Sequence, residues 1–179
     1  AKMINETTVA IAARNERYQF QNTVIDSALN VSKQAEKSRL EEDYATAITT
    51  YNQVLLLLQS VDEEFSDLSA SAKTTQAQVN KDIKTIIDEV LKHAEDFIDQ
   101  GDKAVDEHRF DQGIEFYGMV EPTLKTLPAE DGTAVAERMQ GYVDQAKTKV
   151  EDAKTARIRY EQEQADAAKA AAKAPKKKT

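Results

Sequence analysis

Two histidines, His93 and His108, are the only imidazoles in this 179-residue chain, and they stand fifteen positions apart. A metal centre or general base built on His108 would draw on Glu107 or Asp111. Helical neighbours at i and i+1 point apart, however, and no third ligand converges, so a surface histidine is expected. Carboxylates come in runs, as in Glu41-Glu42-Asp43, Asp62-Glu63-Glu64 and Asp106-Glu107. A pair for acid–base work can be drawn almost anywhere among them, whereas acidic runs at helix starts are explained by capping and by the helix dipole. The absence of cysteine removes disulfides, thiolate metal sites and thiol nucleophiles. No Gly-rich phosphate loop, G-x-S-x-G elbow or H-E-x-x-H motif occurs. No catalytic, cofactor-binding or metal-ligating residue is assigned, and a chain that is not an enzyme is expected.

The remaining polar chemistry is recognition. The formal charge is −8, and Lys169, Lys173, Lys176, Lys177 and Lys178 place +5 in the last eleven residues, leaving −13 on the rest. An acidic body of this kind argues against a nucleic-acid groove, because phosphate binding relies on clustered Lys and Arg. The tail, and Lys176, Lys177 and Lys178 in particular, offers weak, salt-dependent contact with an anionic partner beside a plain solubilising role. Tyr44, Tyr51, Phe97, Phe110 and Tyr117 recur at matched spacing and are expected in the core, with a peptide-binding groove as the alternative. Phe116, Met119, Tyr142 and Tyr160 lie off the main apolar stripes and are the candidate contacts with a protein partner.

The elements that position these residues are helical. Hydrophobic residues make up 40% and charged residues 31%, and only 5 glycines and 3 prolines are present, none before Gly101, so the first half lacks the residues of tight β-turns. Apolar spacing predicts five helices. The first runs from about Thr7 to Leu40, through Ile11, Tyr18, Ile25, Ala28, Ser32 and Ala35. The second is capped by Asp43 and buries Tyr44, Ala47, Ile48, Tyr51, Val54, Leu55 and Leu58. A long third, capped by Asp62 or Ser66, extends from Phe65 to Ala104. The fourth carries Phe110, Gly113, Ile114, Tyr117, Val120 and Leu124, with Pro122 expected to kink it or end it early. The fifth, capped by Thr133, turns Val135, Met139, Val143, Ala146, Val150 and Ala153 inward. No run of about eighteen apolar residues is present to span a bilayer.

A shift of 66 residues superposes one part of the chain on another: Ile25 on Leu91, Ala28 on Ala94, Ala35 on Gly101, Tyr44 on Phe110, Ala47 on Gly113, Ile48 on Ile114, Tyr51 on Tyr117, Val54 on Val120 and Leu58 on Leu124. Aromatics, small residues and the helix break all align, which a shared helical period alone does not require. The segments Tyr44–Tyr51 and Phe110–Tyr117 resemble the second-helix signature of tetratricopeptide repeats, in which an aromatic, a small residue, an aliphatic and a second aromatic lock paired helices. The departures are Val54 and Val120 for a small residue, Gln34 and Gln100 for a leucine, and a 66-residue spacing where the family has about 34. The first hairpin is also similar to microtubule-interacting-and-transport three-helix domains.

The expected fold is therefore all-α and elongated, with two duplicated hairpins, or three-helix bundles, sharing a long central helix. Residues 1–88 would hold the first hairpin and half of that helix, 89–163 the second hairpin and closing helix, and 164–179 a frayed or disordered Ala/Lys tail. The resemblance and the absence of site chemistry imply a non-catalytic protein-interaction or scaffold protein with a protein partner or self-association. The long helices suggest, as the alternative, a structural rod subunit of a virion, secretion or envelope complex. A cytoplasmic location is expected, with export after signal-peptide cleavage as the alternative. If Tyr51 and Tyr117 are both anchors, alanine at either position will lower stability by about 3 kcal/mol or more in denaturant unfolding.

Overall fold

Sequence periodicity is realised in a computed structural model that describes residues 2–128 and 132–173, with side chains described from 7 to 128 and from 132 to 172. Lys176, Lys177 and Lys178 lie outside the described residues. Among the described residues all regular structure is helical: α1 (Lys2–Leu40), α2 (Tyr44–Gln59), α3 (Ser66–Asp106), α4 (Phe110–Gly118), α5 (Val120–Leu124) and α6 (Ala134–Lys173). These are the five expected helices with the fourth in two pieces. The break has a local cause. Pro122 has no N–H to give the Gly118 carbonyl, and the backbone tightens there as the Met119 N–H bonds Phe116 O at 3.1 Å. Helical bonding resumes with the Thr123 N–H on Met119 O.

The chain divides into two compact units, Ala1–Glu89 with Thr126–Pro128, and Val90–Lys125 with Ala129–Thr179. The first packs α1, α2 and the N-terminal part of α3 around Ile25, Ala28, Ala35, Ile48, Tyr51, Val54, Leu58, Val79 and Ile86, all buried. The second packs the rest of α3 with α4, α5 and α6 around Leu91, Ala94, Phe110, Tyr117, Val120, Leu124, Ala146 and Ala153. α3 thus contributes residues to both.

The hairpin turns of the two units are the same structure. In the first, the Asp43 N–H reaches Ser38 O (2.9 Å) and the Glu42 N–H reaches Arg39 O (3.0 Å); in the second, the Arg109 N–H reaches Ala104 O (2.8 Å) and the His108 N–H reaches Val105 O (2.9 Å). This is the paired-bond ending in which one left-handed residue satisfies the last free carbonyls. Glu42 (φ 60°) and His108 (φ 61°) fill that position, 66 residues apart, without the glycine usually found there. The next residue begins the returning helix at once, with the Asp43 carboxylate accepting from the Thr46 N–H (3.2 Å) as expected of a cap. Arg109 makes no such bond.

The duplication continues into the closing helices, with the shift raised to 67 by a longer second connection. Val79, Ile83 and Ile86 correspond to Ala146, Val150 and Ala153, and both sets are buried or half-buried. Thr133 caps α6 through its hydroxyl, which accepts from the Ala136 N–H at 3.2 Å. Beyond Tyr160 every described side chain of α6 is exposed, and the helix persists to Lys173.

One expected core position is not in the core. Ile11 is 57% exposed, because the loop leading into α3 meets α1 from Arg14 onward, where Arg14 and Arg17 reach Glu64 (3.3 and 3.0 Å) and Tyr18 packs on Phe65 and bonds Asp67 of α3. The preceding turns of α1, about 18 Å at 1.5 Å per residue, run past the loop between α2 and α3.

Gly101 marks the tightest helix approach. A Cβ there would lie 2.2 Å from the Tyr117 ring. Gly101→Ala should therefore lower stability by about 1–3 kcal/mol despite alanine's better helix propensity. Gly141, whose Cβ would meet nothing within 4 Å, should gain about 0.5–1 kcal/mol as alanine. Parallel urea titrations of the two variants check both signs.

Candidate functional site

The residues that the duplication brings together most closely are a tyrosine and a carboxylate. In the first unit the Tyr51 hydroxyl donates to Glu36 Oε2 at 3.2 Å, and in the second the Tyr117 hydroxyl donates to Asp102 Oδ1 at 2.6 Å; each pair is fifteen residues apart in sequence. Both rings are buried, at 1% and 4% exposure, so their hydroxyls need an acceptor inside the hairpin. A carboxylate in that place needs a cation in turn, and the units supply it differently. In the first, Arg39 forks onto Glu36 (2.8 and 2.9 Å) and reaches on to Glu89 (3.0 Å). In the second, Val105 and Ala156 stand at the equivalent positions, and Lys149 of α6 places its ammonium 2.7 Å from both Asp102 oxygens.

These partners shift the acids and phenols in opposite senses. Burial raises the Asp102 carboxyl, but hydrogen bonds from Lys149 and Tyr117 and the charge of Lys149 outweigh it and leave a net shift below the ordinary 3.8. The hydrogen bond from Arg39 likewise holds Glu36 below its ordinary value. Burial pushes both phenols up, reinforced at Tyr51 chiefly by the charge of Asp82 and at Tyr117 by Asp102. At neutral pH the tyrosines are donors and the carboxylates acceptors. The arrangement is structural chemistry, with no group poised to gain or lose a proton near pH 7.

The sequence candidates are dispersed. Met119 is 45% exposed at the α4–α5 break, while Phe116 and Tyr142 are half-buried. Tyr160 is half-buried in an intrachain cluster: its ring stacks on His108 at 4.4 Å and lies 5.8 Å from Phe110. Both histidines are exposed, as expected, and His108 uses one face to stack on Tyr160 of α6. Around that stack a cleft of about 420 Å³ is bordered by Arg109 and Arg157. Both are engaged within the chain, Arg109 with Glu107 and Gln112, Arg157 with Asp111 and Glu161. Among the described residues no three His, Cys, Asp or Glu side chains gather as a metal site, and no helix is long and apolar enough to cross a membrane.

In the sequence Glu36 and Asp102 are two carboxylates among many. The signal that isolates them is the 66-residue shift itself, which lays one acid on the other, each directly after a buried small residue, Ala35 or Gly101.

Because the folded carboxyl of Asp102 titrates below its ordinary value, its pairing stabilises the fold fully above about pH 4, and this contribution is lost as pH falls through the lower folded value. Lys149→Met should lower stability by about 1 kcal/mol at neutral pH. Its deficit against the parent chain should shrink in unfolding titrations carried down to about pH 2. No protein family, curated protein or solved structure matches the chain.

Proposed function

We propose that this chain is a non-catalytic interaction or scaffold protein that engages a protein partner through helical faces of tetratricopeptide-like hairpins. The observation that carries the reading is the uncovered start of α1. From Thr7 to Arg17 every side chain is exposed, including Val9 (63%) and Ile11 (57%), and Phe20 (65%) follows on the Val9 face. Ile11 continues the stripe of Tyr18 and Ile25, which α2 and α3 cover further along. A helix from a partner, packed as those two are, is the natural cover for the remaining turns. Val9 with Phe20 lies on nearly the opposite side of the helix from Ile11, so two apolar faces of this segment are open to a partner.

Affinity capture followed by mass spectrometry tests this with the parent chain and a Val9→Glu/Ile11→Glu variant. The variant should lose the partner by about tenfold or more, while its thermal midpoint stays at the parent value because neither side chain packs within the chain. Equal recovery by both proteins would remove the surface from the reading. Recovery of the chain alone, with concentration-dependent sedimentation, would make the partner a second copy.

A further inference from the structure

At one pair of equivalent positions the two units carry opposite charge. Lys149 of α6 reaches over the Tyr117–Asp102 bond and closes it with its ammonium, 2.7 Å from each oxygen. One 67-residue shift earlier the chain has Asp82, on the corresponding face of α3 and half-buried as Lys149 is. No lysine therefore crosses the Tyr51–Glu36 bond from that helix. The space is instead an open cleft of about 320 Å³ between Ser32, Glu36, Arg39, Tyr51, Asp82 and Thr85.

The charges facing this cleft come from α1 and α3, and α2 contributes the neutral Tyr51. From α1, Glu36 is engaged by Arg39, and Arg39 continues to Glu89 of α3. Among the described residues Asp82 accepts one hydrogen bond, from the Gln78 amide at 2.7 Å, and makes no ion pair. Its negative charge is felt at the Tyr51 hydroxyl. Lys33 also lines the cleft, exposed and, among the described residues, without an ion pair. Two carboxylates and two cations thus line the cleft, with Arg39 drawn to Glu36 and outward to Glu89, and Asp82, the carboxylate that Arg39 does not engage, is the one that replaces the second unit's lysine. Hydroxyls of Ser32, Tyr51 and Thr85 add neutral oxygen acceptors, the chemistry that solvates an ammonium group with its three donors.

We propose that this cleft binds the ammonium of a lysine side chain presented by a partner protein, in the position that Lys149 fills within the second unit. The duplicated unit is the template: the same tyrosine, an acid in the same place and a lysine from the closing side, there in cis and here supplied in trans. The scaffold reading enters only as the source of the lysine.

Nuclear magnetic resonance titration of the full chain with an acetylated, amidated Gly-Lys-Gly peptide tests the site without any native partner. Saturable shifts at Ser32, Tyr51 and Thr85 are expected, with none at Tyr117. Binding should weaken at least fivefold for the Nε-acetyl-lysine twin and for Asp82→Asn, strengthen for Lys33→Gln, and vanish in Asp82→Lys, which supplies the ammonium in cis and should also raise the melting temperature. Asp82→Asn, nearly isosteric, carries the test if Asp82→Lys does not fold. No saturable shift at these three residues, or equal binding by the peptide, its acetylated twin and Asp82→Asn, would overturn the proposal. Loss of partner capture alone would bear on the scaffold reading and not on the cleft.

Discussion

A tyrosine that fills the seam between two antiparallel helices brings a hydroxyl into the interior with it. That hydroxyl cannot be left without an acceptor where water is excluded. In both units the requirement is met by a carboxylate on the preceding helix, and much of the local sequence follows from it. A small buried residue stands beside the acid in each, Ala35 or Gly101, and at Gly101 the Tyr117 ring comes so close that a Cβ would not fit. The turn must bring the second helix back at a fixed offset, as the left-handed Glu42 and His108 do. A cation must then offset the acid. The turn is the same in the two hairpins, the small residue is alanine in one and glycine in the other, and the cation comes from different residues on different helices.

That freedom explains how the units diverge while keeping their hydrophobic pattern. An arginine one turn from Glu36 leaves the closing helix free to carry any residue at the facing position, and it carries Asp82. Where the arginine is replaced by Val105, the closing helix must supply the charge, and Lys149 is there. Each substitution makes sense only with the other. The two sites share a hydrogen bond while presenting different electrostatic surfaces.

Much of this architecture was legible in the sequence. The helices, the Asp43 and Thr133 caps, the effect of Pro122 and the matched hairpins all follow from periodicity and from residues with strong backbone preferences. Two features were not legible, for distinct reasons. Periodicity reports which residues would suit burial and is silent on whether a neighbour reaches them, so Ile11 extends the α1 stripe while α3 begins too late to cover it. The correspondence of α3 with α6 was hidden because the connection before α6 is longer, which moves the alignment by one residue, and because the aligned side chains differ in size and charge, as in Ile86 with Ala153 and Asp82 with Lys149. The stacking of Tyr160 on His108 lay out of reach for a third reason. It depends on a histidine in the left-handed conformation, which no helical spacing encodes.

The interruption at Pro122 divides what is one continuous helix in the first unit into segments of nine and five residues in the second. A helix of five residues has almost no internal hydrogen bonding to lose, so its order is borrowed from Val120 and Leu124 in the core. Detaching it exposes two apolar side chains and leaves the Tyr117–Asp102 bond, which belongs to α4, in place. The second unit therefore holds a segment able to open and close as a small cooperative piece below the free energy of global unfolding. In the first unit the unbroken α2 ties the corresponding residues to the fate of its tyrosine.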